Sequence, residues 1–148
     1  MARRFTDSEK WKGQFLRSLT YPYKLLWLYI QDECDHAGIW QVDIEVAQIK
    51  IGCTIQESVA KKFFEGKIID KGTFWFIPEF IETQYTTLNP AIRAHESALK
   101  ILEKNNLIDD IKELVNPLLR VKDKDKDKKG VPPPKVWRDT RKKLGGRV

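Results

Sequence analysis

The sequence predicts a mostly helical α+β fold: a winged helix-turn-helix with a small β-hairpin, then one or two C-terminal helices and a charged, flexible tail. The order of the predicted elements is helix, strand, helix, short turn, helix and β-hairpin, which is the winged-helix order. The chain also has five Trp, seven Phe and four Tyr, most of them before residue 90, which is ample material for a core.

The chain divides into three regions by pattern. We expect a winged-helix domain over 5–86, a helical extension over 87–121, and a Lys/Asp linker with a basic, proline-containing tail over 122–148. The tail begins with alternating Lys and Asp residues that cannot form a core, so we expect it to stay solvated.

The first two helices are predicted from capping and periodicity. Thr6 and Glu9 have the spacing of a capping box, and Trp11 and Phe15 follow at helical spacing, which predicts a short opening helix. Over 21–33 the apolar residues surround the helix axis, which predicts a central core helix buried on most sides.

The helix-turn-helix follows a short strand. Alternating strand formers predict a strand over 39–42, and Asp43 and Gly52 are a natural cap and stop for a helix over 44–51. Thr54 is then the predicted cap of a helix over 55–65. The apolar stripe of that helix is expected to contain Ile55, Ser58, Val59 and Phe63.

The wing and the extension complete the prediction. Residues 67–78 indicate two strands joined by a tight turn at Gly72, with Pro78 ending the second strand. Asn89 and Pro90 are expected to cap a helix that closes at Asn105 and Asn106, and a last helical piece is expected over 110–115. The first of these helices has one face made of Ile92, His95, Leu99 and Leu102.

The net charge of +6 comes from the tail. Residues 1–121 carry 16 Lys and Arg against 17 Asp and Glu, a balance of −1, while residues 122–148 carry 11 against 4, a balance of +7. The isoelectric point therefore gives no direct argument for nucleic-acid binding by the folded part.

Several protein classes are disfavoured. The longest apolar run, residues 25–30, is six residues, against roughly 20 for a membrane span, and no signal peptide is recognisable. We therefore expect a soluble, cytoplasmic protein that has no membrane partner. Cys34 and Cys53 are too few for a disulfide scaffold and are expected to be buried thiols.

The amino-acid sequence resembles that of the N-terminal domain of phage and prophage replication proteins, the replisome organisers or replication initiators. The likeness covers most of residues 4–129, including the Lys-Asp repeat. It is carried by Lys10-Trp11, Phe15, Arg17, Leu19, residues 24–29, Asp32, residues 34–40, Val42-Asp43, residues 76–78, Phe80-Ile81, Gln84-Tyr85 and residues 88–90.

The resemblance implies a winged helix that binds origin or other duplex DNA in the cytoplasm of a bacterial host and helps to recruit replication machinery. A replicative helicase or helicase loader is the expected protein partner. Relatives of this kind often continue into a further domain, whereas here only a short basic segment follows. The expected protein is therefore a DNA-binding fragment or a shortened paralogue.

The candidate DNA contacts lie on the second helix of the turn motif and on the wing, because these two elements meet the groove and the backbone in a winged helix. Gln reads adenine, Glu accepts from cytosine, and Thr and Lys hold phosphates. The predicted contacts are Thr54, Gln56, Glu57, Lys61, Lys62, Lys67, Lys71 and Thr73. The alternative is that these residues are the ordinary solvated face of a helix.

The tail offers a second set of phosphate contacts, with a solubilising end as the alternative. Trp137 favours contact, because an exposed tryptophan can stack on a base. The basic residues concerned are Lys135, Arg138, Arg141, Lys142, Lys143 and Arg147.

No catalytic site, cofactor or metal is predicted. Cys34, His36 and Cys53 lack the paired spacing and the fourth ligand of a zinc site. The clustered carboxylates of Asp32, Glu33 and Asp35 are typical of a solvated helix end, and the sequence contains no phosphate-binding glycine loop or nucleophile elbow.

Two other functions stay open at this point. The near-neutral charge of the folded part favours a protein-interaction adaptor whose helices after Asn89 dock a helicase, a loader or a second copy in a homo-oligomer. A winged-helix transcriptional regulator is the other alternative.

Overall fold

The computed structural model of the chain describes residues 2–112. None of its helices is long and apolar enough to cross a membrane. The elements are a 3₁₀ helix Ser8–Lys12, α1 Gln14–Ser18, α2 Tyr21–Glu33, β1 Ile39–Gln41, α3 Ile44–Ile51, α4 Glu57–Phe63, β2 Ile69–Asp70, β3 Phe74–Phe76, α5 Pro78–Tyr85, α6 Arg93–Lys104 and a second 3₁₀ helix Ile108–Ile111.

The elements from α2 to β3 form a winged helix-turn-helix, which confirms the predicted α+β class. The three strands form one antiparallel sheet in the order β1-β3-β2. β3 is central, with Trp75 opposite Trp40 of β1 and Phe76 opposite Ile69 of β2. The predicted hairpin is confirmed: Gly72 has a φ of 87°, and its N–H donates to Asp70 Oδ1 over 2.9 Å.

Local signals set the bounds of α3. Asp43 Oδ1 accepts from the Val46 N–H over 3.0 Å, and Gly52 ends the helix in left-handed backbone with a φ of 83°. The predicted bounds of α2 and α3 are both confirmed. α2 is less buried than its apolar sequence predicts, because Tyr21 is 71% and Leu25 43% exposed on one face of the helix.

The core is built around aromatic rings that link the helices to the sheet. Phe64, at the end of α4, lies 5.0 Å from Trp27 of α2 and 6.2 Å from Trp75, between ring centroids. Trp75 in turn lies 5.2 Å from Trp40 of β1. These inclined contacts are the arrangements that aromatic pairs prefer, so they hold α4 and the sheet in one orientation.

The opening helix differs from its prediction. Asp7, not Thr6, is the cap, since its carboxylate accepts from the Glu9 N–H over 2.9 Å, and the turn that follows is a 3₁₀ helix. Gly13 then has extended backbone and separates this 3₁₀ helix from α1. Trp11 and Phe15 consequently lie on different elements, and Trp11 is 55% exposed.

Helix α5 is not anticipated by the sequence pattern. Pro78 does end the second strand, as predicted, but it also occupies the first turn of a new helix, where its missing N–H costs nothing. Phe80 and Ile81 of this helix are buried. The residues after the wing therefore add a helix to the core instead of leaving it.

The extension packs onto the same core. α6 buries Ala98, Leu99 and Leu102, which join the hydrophobic cluster of the wing domain. Its N-cap is Ile92, not Asn89, because Asn89 Oδ1 instead accepts from the Ala91 N–H in a turn before the helix.

The end of α6 at Asn105 and Asn106 is confirmed. The helical piece predicted over 110–115 falls partly on the 3₁₀ helix Ile108–Ile111. Residues 113–115, together with the predicted linker and tail contacts over 122–148, lie outside the described residues.

Candidate nucleic-acid interface

The turn between α3 and α4 is held by a hydrogen bond to Gln48 of α3 and by the buried side chain of Ile55. Gln48 Oε1 accepts from the Ile55 N–H over 2.8 Å, and Ile55 is only 4% exposed. Since Ile55 is still part of this turn, α4 begins at Glu57, two residues later than predicted, and Thr54 is an exposed turn residue instead of its cap. Gln56 is exposed and precedes the first helical residue.

The outward face of α4 differs from the predicted one. Ala60 and Phe64 are fully buried, while Val59 and Phe63 are only half-buried. Ser58, which the apolar stripe was expected to contain, is exposed. The helix is therefore turned by about one residue from the prediction, because Phe64 packs against Trp75 of the sheet and the buried Ala60 lies one turn before it on the same face.

This rotation brings a polar pair to the surface. Ser58 and Lys62 are separated by four residues, so they lie on one face, and both are exposed. Sequence reasoning missed Ser58 as a surface residue. The available signal was its spacing, since Ser58 and Lys62 lie opposite the Ala60 and Phe64 pair on the helix.

Lys61 connects α4 to the wing. Its ammonium lies 3.0 Å from Glu57 Oε1 and 2.8 Å from Asp70 Oδ2. The hydrogen bond to Asp70, followed by that to Glu57, raises the pKa of Lys61, and the same bond to Lys61 is the main cause that lowers the pKa of Asp70. Two carboxylates therefore share this ammonium.

Lys67 is also engaged within the protein. Its ammonium lies 3.8 Å from Glu79 Oε2 on α5 and 5.1 Å from the centre of the Phe15 ring. The ion pair and the cation–π contact tie the start of the wing to α5 and α1.

The wing tip is open to solvent. Lys71 and Thr73 are both exposed, and the Lys71 N–H donates to the Phe74 carbonyl over 3.0 Å, which closes the hairpin. Within residues 2–112, the ammonium groups of Lys62 and Lys71 take part in no ion pair. Of the four predicted basic contacts of the folded part, these two are available to an anionic partner.

The residues considered for zinc or acid–base chemistry have structural roles. His36 Nε2 is 2.9 Å from Ser97 Oγ of α6, and Asp35 Oδ1 accepts from the N–H groups of Ala37 and Ile39, each over 2.9 Å. In the described part of the chain, no three Cys, His, Asp or Glu side chains are placed to hold a metal ion.

Cys34 is predicted to be chemically inert. The residue is 2% exposed, and burial raises the pKa of its thiol from 9.0 to about 12. Because the thiolate is the reactive form, we expect no alkylation of Cys34 by iodoacetamide in the native protein at pH 8. The half-buried Cys53 is expected to be modified first.

Peptide mass mapping of the alkylated protein measures this difference. The unfolded protein is the control, and both thiols should react in it. Native modification of Cys34 at the rate of Cys53 would contradict the burial of the thiol.

No protein-family model matches the chain, and no curated protein or solved structure is detectably similar to it.

Proposed function

We propose that this is a non-catalytic DNA-binding protein of phage-type replication, which acts in the host cytoplasm. Its winged helix binds duplex DNA at an origin and helps to recruit a helicase or its loader. The observation that carries the proposal is the pairing of two exposed elements: α4 presents Ser58 and Lys62, and the wing tip presents Lys71 and Thr73. The resemblance to replisome organisers supports the same function.

Each exposed residue has a chemical role in this proposal. Gln56 and Ser58 face base edges in the major groove, since amide and hydroxyl groups read bases there. Lys62 and Lys71 neutralise phosphates on either side, and Thr54 adds a hydroxyl contact to the backbone. Glu57 is left out of base recognition, because Lys61 already pairs with its carboxylate.

The phosphate contacts can be tested by salt dependence. Lys62→Ala and Lys71→Ala should each reduce the slope of log K against log salt by about 0.9, the value for one lost phosphate contact on duplex DNA. Fluorescence anisotropy with a labelled duplex at several salt concentrations measures this slope.

The control is Lys104→Ala, which removes the same charge from the exposed end of α6. It should leave the slope unchanged. Equal slopes for all three variants and the wild type would exclude the proposed interface.

An adaptor function is the second candidate, favoured by exposed apolar side chains. Ile49 on α3 is 81% exposed and Tyr21 on α2 is 71% exposed, and exposed apolar surface is typical of protein contacts. On this alternative, Ile49→Asp would abolish binding of a helicase, a loader or a second copy while leaving duplex affinity unchanged. A transcriptional role would instead be revealed by bound DNA at promoters and not at an origin.

A further inference from the structure

Lys61 occupies the junction of the two elements that the proposed function brings to DNA. Its ammonium is bonded on one side to Glu57, in the first turn of α4, and on the other to Asp70, the last residue of β2. Lys61, Glu57 and Asp70 are only partly exposed, with side-chain exposures of 37–42%. An ammonium already shared by two carboxylates is poorly placed to replace the counterions of a phosphate.

We propose that Lys61 is a positioning residue, which holds the wing against α4 and sets the distance between Lys62 and Lys71. The inference rests on the proposed DNA-binding function, and it reassigns a residue that the sequence placed among the phosphate contacts. Lys61 acts on DNA through the wing and does not touch it.

Asp70 connects the ion pair with Lys61 to the turn at the tip of the wing. Its Oδ2 bonds Lys61 over 2.8 Å, while its Oδ1 accepts from the Gly72 N–H over 2.9 Å. One carboxylate therefore both shapes the turn and attaches it to the helix. Lys71 lies between Asp70 and Gly72 in the chain, so the ion pair of Asp70 with Lys61 also sets the position of Lys71.

The first test uses the free protein and needs no DNA. Lys61→Met removes the ammonium but keeps most of the aliphatic stem, and Asp70→Asn removes the ion pair while its amide oxygen still accepts from Gly72. Both variants should accelerate hydrogen exchange at the Lys71 amide by about two- to fivefold, the range expected for exposed ion pairs. Lys61→Arg keeps the positive charge and should therefore show the wild-type exchange rate.

The second test uses duplex binding, with the salt slope as its readout. If Lys61 acts through the wing, its removal lowers the slope by no more than the loss of Lys71 does. The double variant Lys61→Met/Lys71→Ala should then lower the slope no further than Lys71→Ala alone, about 0.9 in all. This non-additivity is the signature of two residues that act as one unit.

Independent contacts would behave differently. A decrease of about 0.9 for each single variant and about 1.8 for the double variant would make Lys61 a phosphate contact and overturn the inference. Unchanged amide exchange in both Lys61→Met and Asp70→Asn would overturn it as well. Absence of duplex binding by the wild-type protein would remove the proposed function, while the exchange rates would still report whether the bridge holds the wing.

Discussion

Replacing Phe64 by alanine should lower the free energy of unfolding by about 3–5 kcal/mol, the usual loss for a large aromatic side chain in a core. Phe64 is fully buried, and its ring is 5.0 Å from that of Trp27 and 6.2 Å from that of Trp75. The substitution would leave a cavity where α2, α4 and the sheet meet. Urea denaturation, monitored by tryptophan fluorescence, measures the change in the free energy of unfolding.

Phe63→Ala is the matched control, because Phe63 is adjacent to Phe64 and the substitution removes the same atoms. Phe63 is only half-buried, and its ring contacts that of Tyr23 at 4.9 Å. Because Phe63 packs only at the edge of the core, we expect a loss of about 1 kcal/mol, the centre of the range for point substitutions. A larger loss for Phe63 than for Phe64 would contradict the orientation of α4 in the structure. It would favour the orientation that the sequence predicted, with Ser58 turned inwards.

Much of the fold follows from signals that are local in the sequence. Asp43 and Gly52 set the two ends of α3, and Gly72 sets the turn of the wing. In each case the relevant hydrogen bond joins residues no more than four apart, so the pattern contains all the chemistry needed. The predicted order of elements from α2 to β3 was correct for the same reason, whereas α5 was not predicted.

The rotation of α4 could not be predicted from the same kind of signal. Its apolar residues occupy adjacent positions, and either Val59 with Phe63 or Ala60 with Phe64 satisfies helical spacing. The structure selects the second pair because Phe64 fits among Trp27 and the sheet. That contact joins residues distant in sequence.

The candidate site shows the same division. The exposure of Lys62 and Lys71 agrees with their place on the predicted helix and wing. The ion pairs of Lys61 and Lys67 involve Asp70 and Glu79, which are 9 and 12 residues away in the chain. Only the packing of the wing on α4 and α5 brings these charges together, so a list of basic residues overestimates the number available to DNA.

A single methyl group at Gly38 should be among the most damaging small changes in the molecule. Gly38 has a φ of 77°, and an added Cβ would lie 3.0 Å from the Ile77 carbonyl oxygen and 3.1 Å from Phe80 Cδ1. Ile77 cannot withdraw freely, since its N–H donates to the Gly38 carbonyl over 2.9 Å beside the pairing of β1 with β3. We expect Gly38→Ala to lower the free energy of unfolding by about 2–4 kcal/mol, from backbone strain and overpacking together.

Gly52→Ala separates these two causes. Gly52 has nearly the same backbone conformation, with a φ of 83°, but no atom lies within 4 Å of the added Cβ. Its loss should be about 1–2 kcal/mol, from the left-handed backbone alone. Thermal or urea unfolding of both variants gives the difference, which measures how tightly α5 is packed against the loop before β1. Equal losses would mean that Phe80 and Ile77 yield to the methyl group, and α5 would then be held more loosely than its buried residues indicate.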